Sequence, residues 1–235
     1  MKTAWCVLVS VLCCLLLAPP TGLAQQDLCE SAYLPFQEGK TFELSNYDKK
    51  GKLTSTVRHT VAEVDKSSEA WTAKVRMEIM DKKGKETSSG TYTISCSDGV
   101  ITMDVSYLLD PATMEAMGNF EVEMSGKALE FPSQLSAGQT LPDADMEIKG
   151  KSGGVTLMNM RMDVTDRKVD GFETVTTPAG TFECVKITQT NEMKMLVKNT
   201  YTSVTWMAKG VGTVKSESYD RRGNLVSSTL LTDIR

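Results

Sequence analysis

Histidine occurs once in this 235-residue chain, as His59 in "STVRHTVAEV". That scarcity excludes a three-histidine zinc site, and any Ser-His-Asp or Cys-His relay would have to run through this one side chain. On an extended segment His59 shares a face with Val57 and Val61, the setting of a structural histidine. Long apolar runs are equally scarce. The single example, Ala4–Ala18, follows Lys2 and precedes Pro19-Pro20 and the small-residue stretch Gly22-Leu23-Ala24. This is the layout of a secretory signal peptide, and at about 15 residues the run is shorter than the roughly 18 that a membrane span requires. Residues 1–24 are therefore expected to be removed after Ala24, leaving 25–235 as a single soluble periplasmic or secreted domain with no membrane span. Neither Gln26-Asp27-Leu28 before Cys29 nor Val11-Leu12 before Cys13 has the small-residue pattern of a lipidation box, so no lipid anchor is expected.

Positive charge is not in surplus. The chain carries 26 Lys and Arg against 30 Asp and Glu, a net charge of −4, and it loses Lys2 with the leader. Nothing here draws a phosphate backbone, and no nucleic-acid partner is expected. Cysteines are few once the leader is gone, because Cys6, Cys13 and Cys14 go with it and Cys29, Cys96 and Cys184 remain. An odd set in an oxidising compartment allows one bridge and one free thiol. A Cys29–Cys96 bridge would tie down a terminus that otherwise frays, while the alternative keeps all three thiols buried and reduced.

What the sequence does contain is a repeated tetrapeptide, in "NYDKKGKLTST" (Asn46–Thr56), "IMDKKGKETSS" (Ile79–Ser89) and "SYDRRGNLVSS" (Ser218–Ser228). Alternating stretches rich in Thr, Val, Tyr and Phe flank each copy, so each copy sits between two strands. Aspartate can accept hydrogen bonds from the turn backbone, the basic pair stays solvated, and glycine supplies a positive φ. The copies are unequally spaced, which excludes a solenoid, and they read as hairpin tips rather than a ligand signature.

Further turn signals stand at Asp98-Gly99, Gly150 to Gly154, Asp170-Gly171, Pro178-Ala179-Gly180 and Gly210-Val211-Gly212. Between them run strand candidates from Thr41–Tyr47 to Leu225–Ile234, among them Val100–Leu108, Phe120–Met124, Val155–Thr165, Phe172–Thr176 and Met193–Trp206. One short helix is expected in "LLDPATMEAMGNF", capped by Asp110, entered through Pro111 and ended by Gly118. The fold class is all-β: an antiparallel meander forming a closed or partly open barrel around an apolar interior.

Three local patterns invite chemistry. "GKSGG" (Gly150–Gly154) matches a nucleophile elbow in letters, but an alternating strand follows it where a helix is required. Asp143, Asp145 and Glu147 in "PDADMEI" share one face of an extended segment and read as a solvated strand face without the glycine and terminal glutamate of a calcium loop. Methionine is abundant, with 14 in all, and "LMNMRMDV" and "NEMKML" place Met158, Met160 and Met162, and Met193 with Met195, on single sides of their strands. These residues fill a core, line an adaptable pocket for apolar ligands, or hold Cu(I). The candidate ligand contacts are these five. No catalytic set, metal site or cofactor is expected.

"YLPFQEGKTFELSNYDKKGKL", "ALEFPSQLSAGQTLPDADMEI", "VTTPAGTFECVKI" and "VTWMAKGVGTVKSESYDRRGNLVSSTLL" occur in this order over essentially the whole mature chain. Together they resemble the bacterial exported family known as domain of unknown function 3108, in its TapB-like branch. The resemblance implies a barrel-like envelope protein, similar in outline to the open barrels that carry lipoproteins, with no established activity and no catalytic residue to transfer. It also implies that Cys29 and Cys96 are cysteines recurring at matching positions, in support of that bridge. The function expected is a non-enzymatic binding module for an apolar or lipid-like ligand. The alternative is a scaffolding domain that presents hairpin tips or an edge strand to another envelope protein, with methionine-bound copper a third reading.

Overall fold

Alternation of apolar and polar residues drives nearly every described segment into extended backbone. A computed structural model of the chain describes residues 28–30, 32–67, 69–103, 121–195 and 197–235. Its strands are β1 (Thr41–Asp48), β2 (Leu53–Lys66), β3 (Trp71–Asp81), β4 (Glu86–Ser97), β5 (Val100–Met103), β6 (Glu121–Lys127) and β7 (Leu129–Pro132). They continue as β8 (Ala144–Ser152), β9 (Val155–Thr177), β10 (Gly180–Lys194), β11 (Lys198–Ala208), β12 (Gly212–Tyr219) and β13 (Leu225–Ile234). All form one sheet in the order β6-β8-β9-β10-β11-β12-β13-β1-β2-β3-β4-β5-β7.

The ends of that order explain the shape. The two edge strands, β6 and β7, are consecutive in the chain, separated by Ala128 alone. One extended stretch thus pairs with β8 through its first half and with β5 through its second, so the sheet must curl until its edges meet. The result is a nearly closed antiparallel barrel. Gly126 permits the seam, because a Cβ there would lie 2.1 Å from the Asp145 carbonyl oxygen.

The repeated tetrapeptides are hairpin tips. At each one the aspartate Oδ1 accepts from two backbone amides: Asp48 from Lys50 and Lys52, Asp81 from Lys83 and Lys85, Asp220 from Arg222 and Asn224. The glycines that close them, Gly51, Gly84 and Gly223, have φ of 72°, 79° and 78°. Those amide bonds hold the Asp48 and Asp81 carboxyls below the usual range, and at Asp220 the Asn224 side chain does so chiefly, with the amides adding to it.

Three elements differ from the sequence reading. Asp170-Gly171 is not a turn but lies inside β9, where the ladder to β10 slips between Lys186 and Ile187. The turn residues are used for a bulge, because a 23-residue strand must bend to follow the barrel wall. Met193–Trp206 is not one strand, since β10 ends at Lys194 and the antiparallel β11 begins at Lys198. The third is β7, a strand the turn signals did not mark. The expected helix and the end of Val100–Leu108 lie outside the described residues, and Leu28–Glu30 forms a short helical turn.

Cys29 and Cys96 form a disulfide, with their Cα atoms 5.8 Å apart. Cys184 is free and buried, and burial pushes its thiol up to about 11. The main core gathers inward residues such as Val75, Ile94, Ile101, Val185, Val214 and Leu231. A smaller cluster of Ala144, Met146, Ile148, Met160, Met162 and Val164 packs between β8 and the first half of β9.

Candidate functional site

The barrel interior is not filled. A cavity of about 270 Å³ lies within it, and its two walls differ in chemistry. One wall is apolar, built from Phe42 and Leu44 of β1, Val75 of β3, Ile94 of β4, Met103 of β5 and Phe131 of β7. The other is polar, built from Gln189 and Asn191 of β10, Tyr201, Ser203 and Thr205 of β11, and Ser216 and Ser218 of β12. Each polar set repeats every second residue, so these are the inward positions of their strands. A solid core would carry aliphatic side chains there, because buried hydroxyls and amides are costly without partners. A second cavity of about 370 Å³ is also lined by Leu44, His59, Thr205, Thr213 and Ser216, so the two adjoin.

His59 stands where the cavities meet and is 2 % exposed. Its ring stacks on Phe42, 5.0 Å between centroids, and its Nδ1 lies 3.1 Å from the Tyr92 hydroxyl. Burial pushes its pKa down to about 4, so at neutral pH it is an uncharged wall group.

Behind the polar wall lies the most unusual side chain in the molecule. Arg167 of β9 is fully buried. Its guanidinium sits over the Phe131 ring, 4.7 Å from the centroid, and Nη1 donates to the Pro142 carbonyl at 2.5 Å. Nε donates to Gln189 Oε1 at 3.4 Å, Gln189 Nε2 to Asn191 Oδ1 at 3.1 Å, and Asn191 Nδ2 to Ser203 Oγ at 2.8 Å. Among the described residues, Arg167 Nη2 has no hydrogen-bond partner. Burial lowers the Arg167 pKa to about 10, against the opposing pull of Asp143 and Glu130, so the group remains a cation at pH 7.

Of the five methionines singled out from spacing, Met162 lines the cavity. Met160 is buried beside it in the smaller cluster, Met158 and Met193 pack against that cluster, and Met195 is half exposed at the β10–β11 reversal. Two others, Met103 and Met207, do reach the cavity. Period two groups Met158, Met160 and Met162 on one side of β9, but it fails for Met195, which lies past the end of β10, and it does not say which side faces the hollow. The alternating Tyr201, Ser203 and Thr205 carried a signal, a strand polar on its inward face, but it is indistinguishable in sequence from a solvated face. Glu147 lies on the outside, where it accepts from Lys149 at 2.9 Å and from Asn159. Of "GKSGG", Gly150–Ser152 end β8 and Gly153-Gly154 make the β8–β9 turn. Among the described residues, no three His, Cys, Asp or Glu side chains converge to hold a metal ion.

The DUF3108-like family model matches residues 37–231. The chain belongs to the DUF3108-like family. Solved structures similar to this DUF3108-like chain include a protein from Bacteroides fragilis NCTC 9343 described as exported and as having a YmcC-like fold. It is 26% identical, with a TM-score of 0.70, and the match covers 86% of this chain and 98% of that one. A protein from Parabacteroides distasonis ATCC 8503 described as a lipoprotein is 24% identical with a TM-score of 0.72, covering 87% and 98%; this second likeness is one of fold. No curated protein matches the chain. Among the described residues, no helix is long and apolar enough to cross a membrane.

Proposed function

We propose that this DUF3108-like protein is an exported, non-enzymatic envelope protein that holds an apolar or lipid-like small molecule inside its barrel. The observation that carries this reading is the hollow between the Phe42–Phe131 side and the β10–β12 side, in a region where a barrel of this size could have been packed solid. At about 270 Å³, it sits at the low end of the roughly 300–1,000 Å³ of small-ligand sites, and the adjoining cavity extends it. Export is supported by the leader-like residues 1–24, by a disulfide in the main core and by a relative described as exported. In this reading the leader is cleaved after Ala24 and Cys29 is committed to its bridge rather than to a lipid.

Native mass spectrometry of the gently purified protein is expected to show a small-molecule adduct that organic extraction removes. Ser216→Phe, which fills a position shared by both cavities, is expected to abolish the adduct while the circular dichroism stays that of β-sheet. An adduct of unchanged mass and abundance in Ser216→Phe would place the ligand elsewhere and sink the reading.

A second reading, docking to another envelope protein, is favoured by one observation. Val155, Leu157 and Val197, 60, 63 and 68% exposed, lie at or beside the β8–β9 and β10–β11 reversals, at the same end of the β9–β10 ladder, whose last pair is Arg161 with Lys194. Leu157→Lys with Val197→Lys would abolish such an association in crosslinking while leaving cavity occupancy unchanged. Crosslinks that persist in the double variant would remove those tips from any interface.

A further inference from the structure

The chain of bonds from Arg167 to Ser203 has a direction that chemistry imposes. A guanidinium has donors only, so Gln189 must present its oxygen to Arg167 and its NH₂ onward. The same constraint passes to Asn191, whose oxygen faces Gln189 and whose NH₂ faces Ser203. Ser203 accepts at its oxygen, leaving its hydroxyl proton to donate. Every link therefore points the same way, with a buried cation at its head, and such chains polarise their terminal donor. Gln189, Asn191 and Ser203 all line the cavity, and Arg167 touches two lining residues, Phe131 and Gln189.

This wall is thus a donor surface backed by positive charge. Among the described residues Arg167 forms no ion pair: its bonds go to Pro142 and Gln189, while Asp143 and Glu130 act on it only at longer range. A fully buried cation with one NH₂ unpartnered among the described residues is costly to keep, and negative charge in the neighbouring cavity offsets that cost. Opposite stands an apolar wall that can take a hydrocarbon chain but offers little to a polar head.

We propose that the cavity selects an amphiphile with an anionic head, its carboxylate held by the Ser203, Asn191 and Gln189 donors, which the Arg167 cation backs from behind the wall, and its acyl chain laid against Phe42, Leu44 and Ile94. The inference rests on the reading of the barrel as a ligand holder and adds the sign and the hydrogen-bonding character of the head. Donors backed by a cation favour an anionic head over a neutral alcohol and disfavour an ammonium.

The test uses the whole protein after organic extraction, at pH 7.5, with three probes of equal chain length: decanoate, decanol and decylamine. Each competes with an environment-sensitive apolar fluorophore. Decanoate is expected to bind at least about tenfold more tightly than decanol, with decylamine weakest, and Arg167→Met is expected to erase the preference for the acid. Should Arg167→Met fail to fold, Ser203→Ala keeps the cation and is expected to weaken decanoate several-fold while leaving decanol unchanged. Equal binding of decanoate and decanol by the wild-type protein overturns the anionic head and leaves the ligand-holding barrel intact. Failure of all three probes and the fluorophore to bind overturns both.

Discussion

Reduction of the Cys29–Cys96 bridge will destabilise the fold by about 4 kcal/mol, the loop-closure expectation for a cross-link spanning 67 residues. Both sulfurs are in the main core, with Cys29 1% and Cys96 0% exposed, so the bridge joins the segment before β1 to the end of β4 inside packed material. Tyr33 and Phe36 are buried, Phe36 meets Trp71 edge to face, and Gly210 N–H donates to the Ala32 carbonyl at 2.8 Å. Leu34 and Pro35 line the cavity, so loosening the segment will also open the hollow. Urea denaturation with and without reductant, set beside the Cys29→Ser/Cys96→Ser variant, measures the effect. Cys184 does not confuse the result, because it is buried and forms no bridge. Coincident midpoints in oxidised and reduced protein would show that packing alone holds the segment.

The second large effect is acid sensitivity centred on His59. Its pKa is about 4 in the fold against 6.5 as the ordinary value. Above pH 6.5 the imidazole is neutral in both folded and unfolded chains and contributes no pH dependence. Between pH 6.5 and 4 the unfolded chain takes up a proton that the folded chain refuses, so stability falls as pH falls. The loss is complete only below pH 4, where both states are protonated, and amounts to about 3 kcal/mol. The depressed carboxyls act in a separate and lower window. Asp48, Asp81 and Asp220 contribute stability above their ordinary values near 3.8, and it is lost as pH falls through their lower folded-state values. Urea midpoints at pH 7.5, 6, 5 and 4.5 should decline in the wild type and stay nearly level in His59→Gln. Parallel declines in the two proteins would mean that His59 is not the buried neutral group described. The same protonation would place a cation against Phe42 in the cavity wall, so ligand retention and acid stability are expected to weaken together.

The two effects were unequally legible beforehand. The bridge could be named from an odd set of three cysteines because terminus tethering and a family resemblance both pointed to it. His59 could be assigned to an inward strand face, but its pKa depends on how completely β1, β3 and β4 cover it, which spacing does not reveal. The same divide runs through the candidate site. Met158, Met160 and Met162 share one side of β9 and, with Met193, belong to or pack against the smaller cluster, whereas Met195 lies past the end of β10 and is half exposed. Gln189, Asn191, Ser203 and Arg167 drew no notice at all, since polar residues at alternate positions look like a wet surface until the sheet closes over them.

By itself the sequence determined what short-range physics controls: the strands, the antiparallel meander and the three aspartate-closed hairpin tips, whose hydrogen bonds span at most four residues. Only the tertiary structure decided where β6 and β7 meet, which faces of β10, β11 and β12 turn inward, and that a buried guanidinium stands at the head of a one-way chain of donors. Those features join residues from distant strands, and closure of the barrel alone turns an alternating polar pattern into the lining of a hollow.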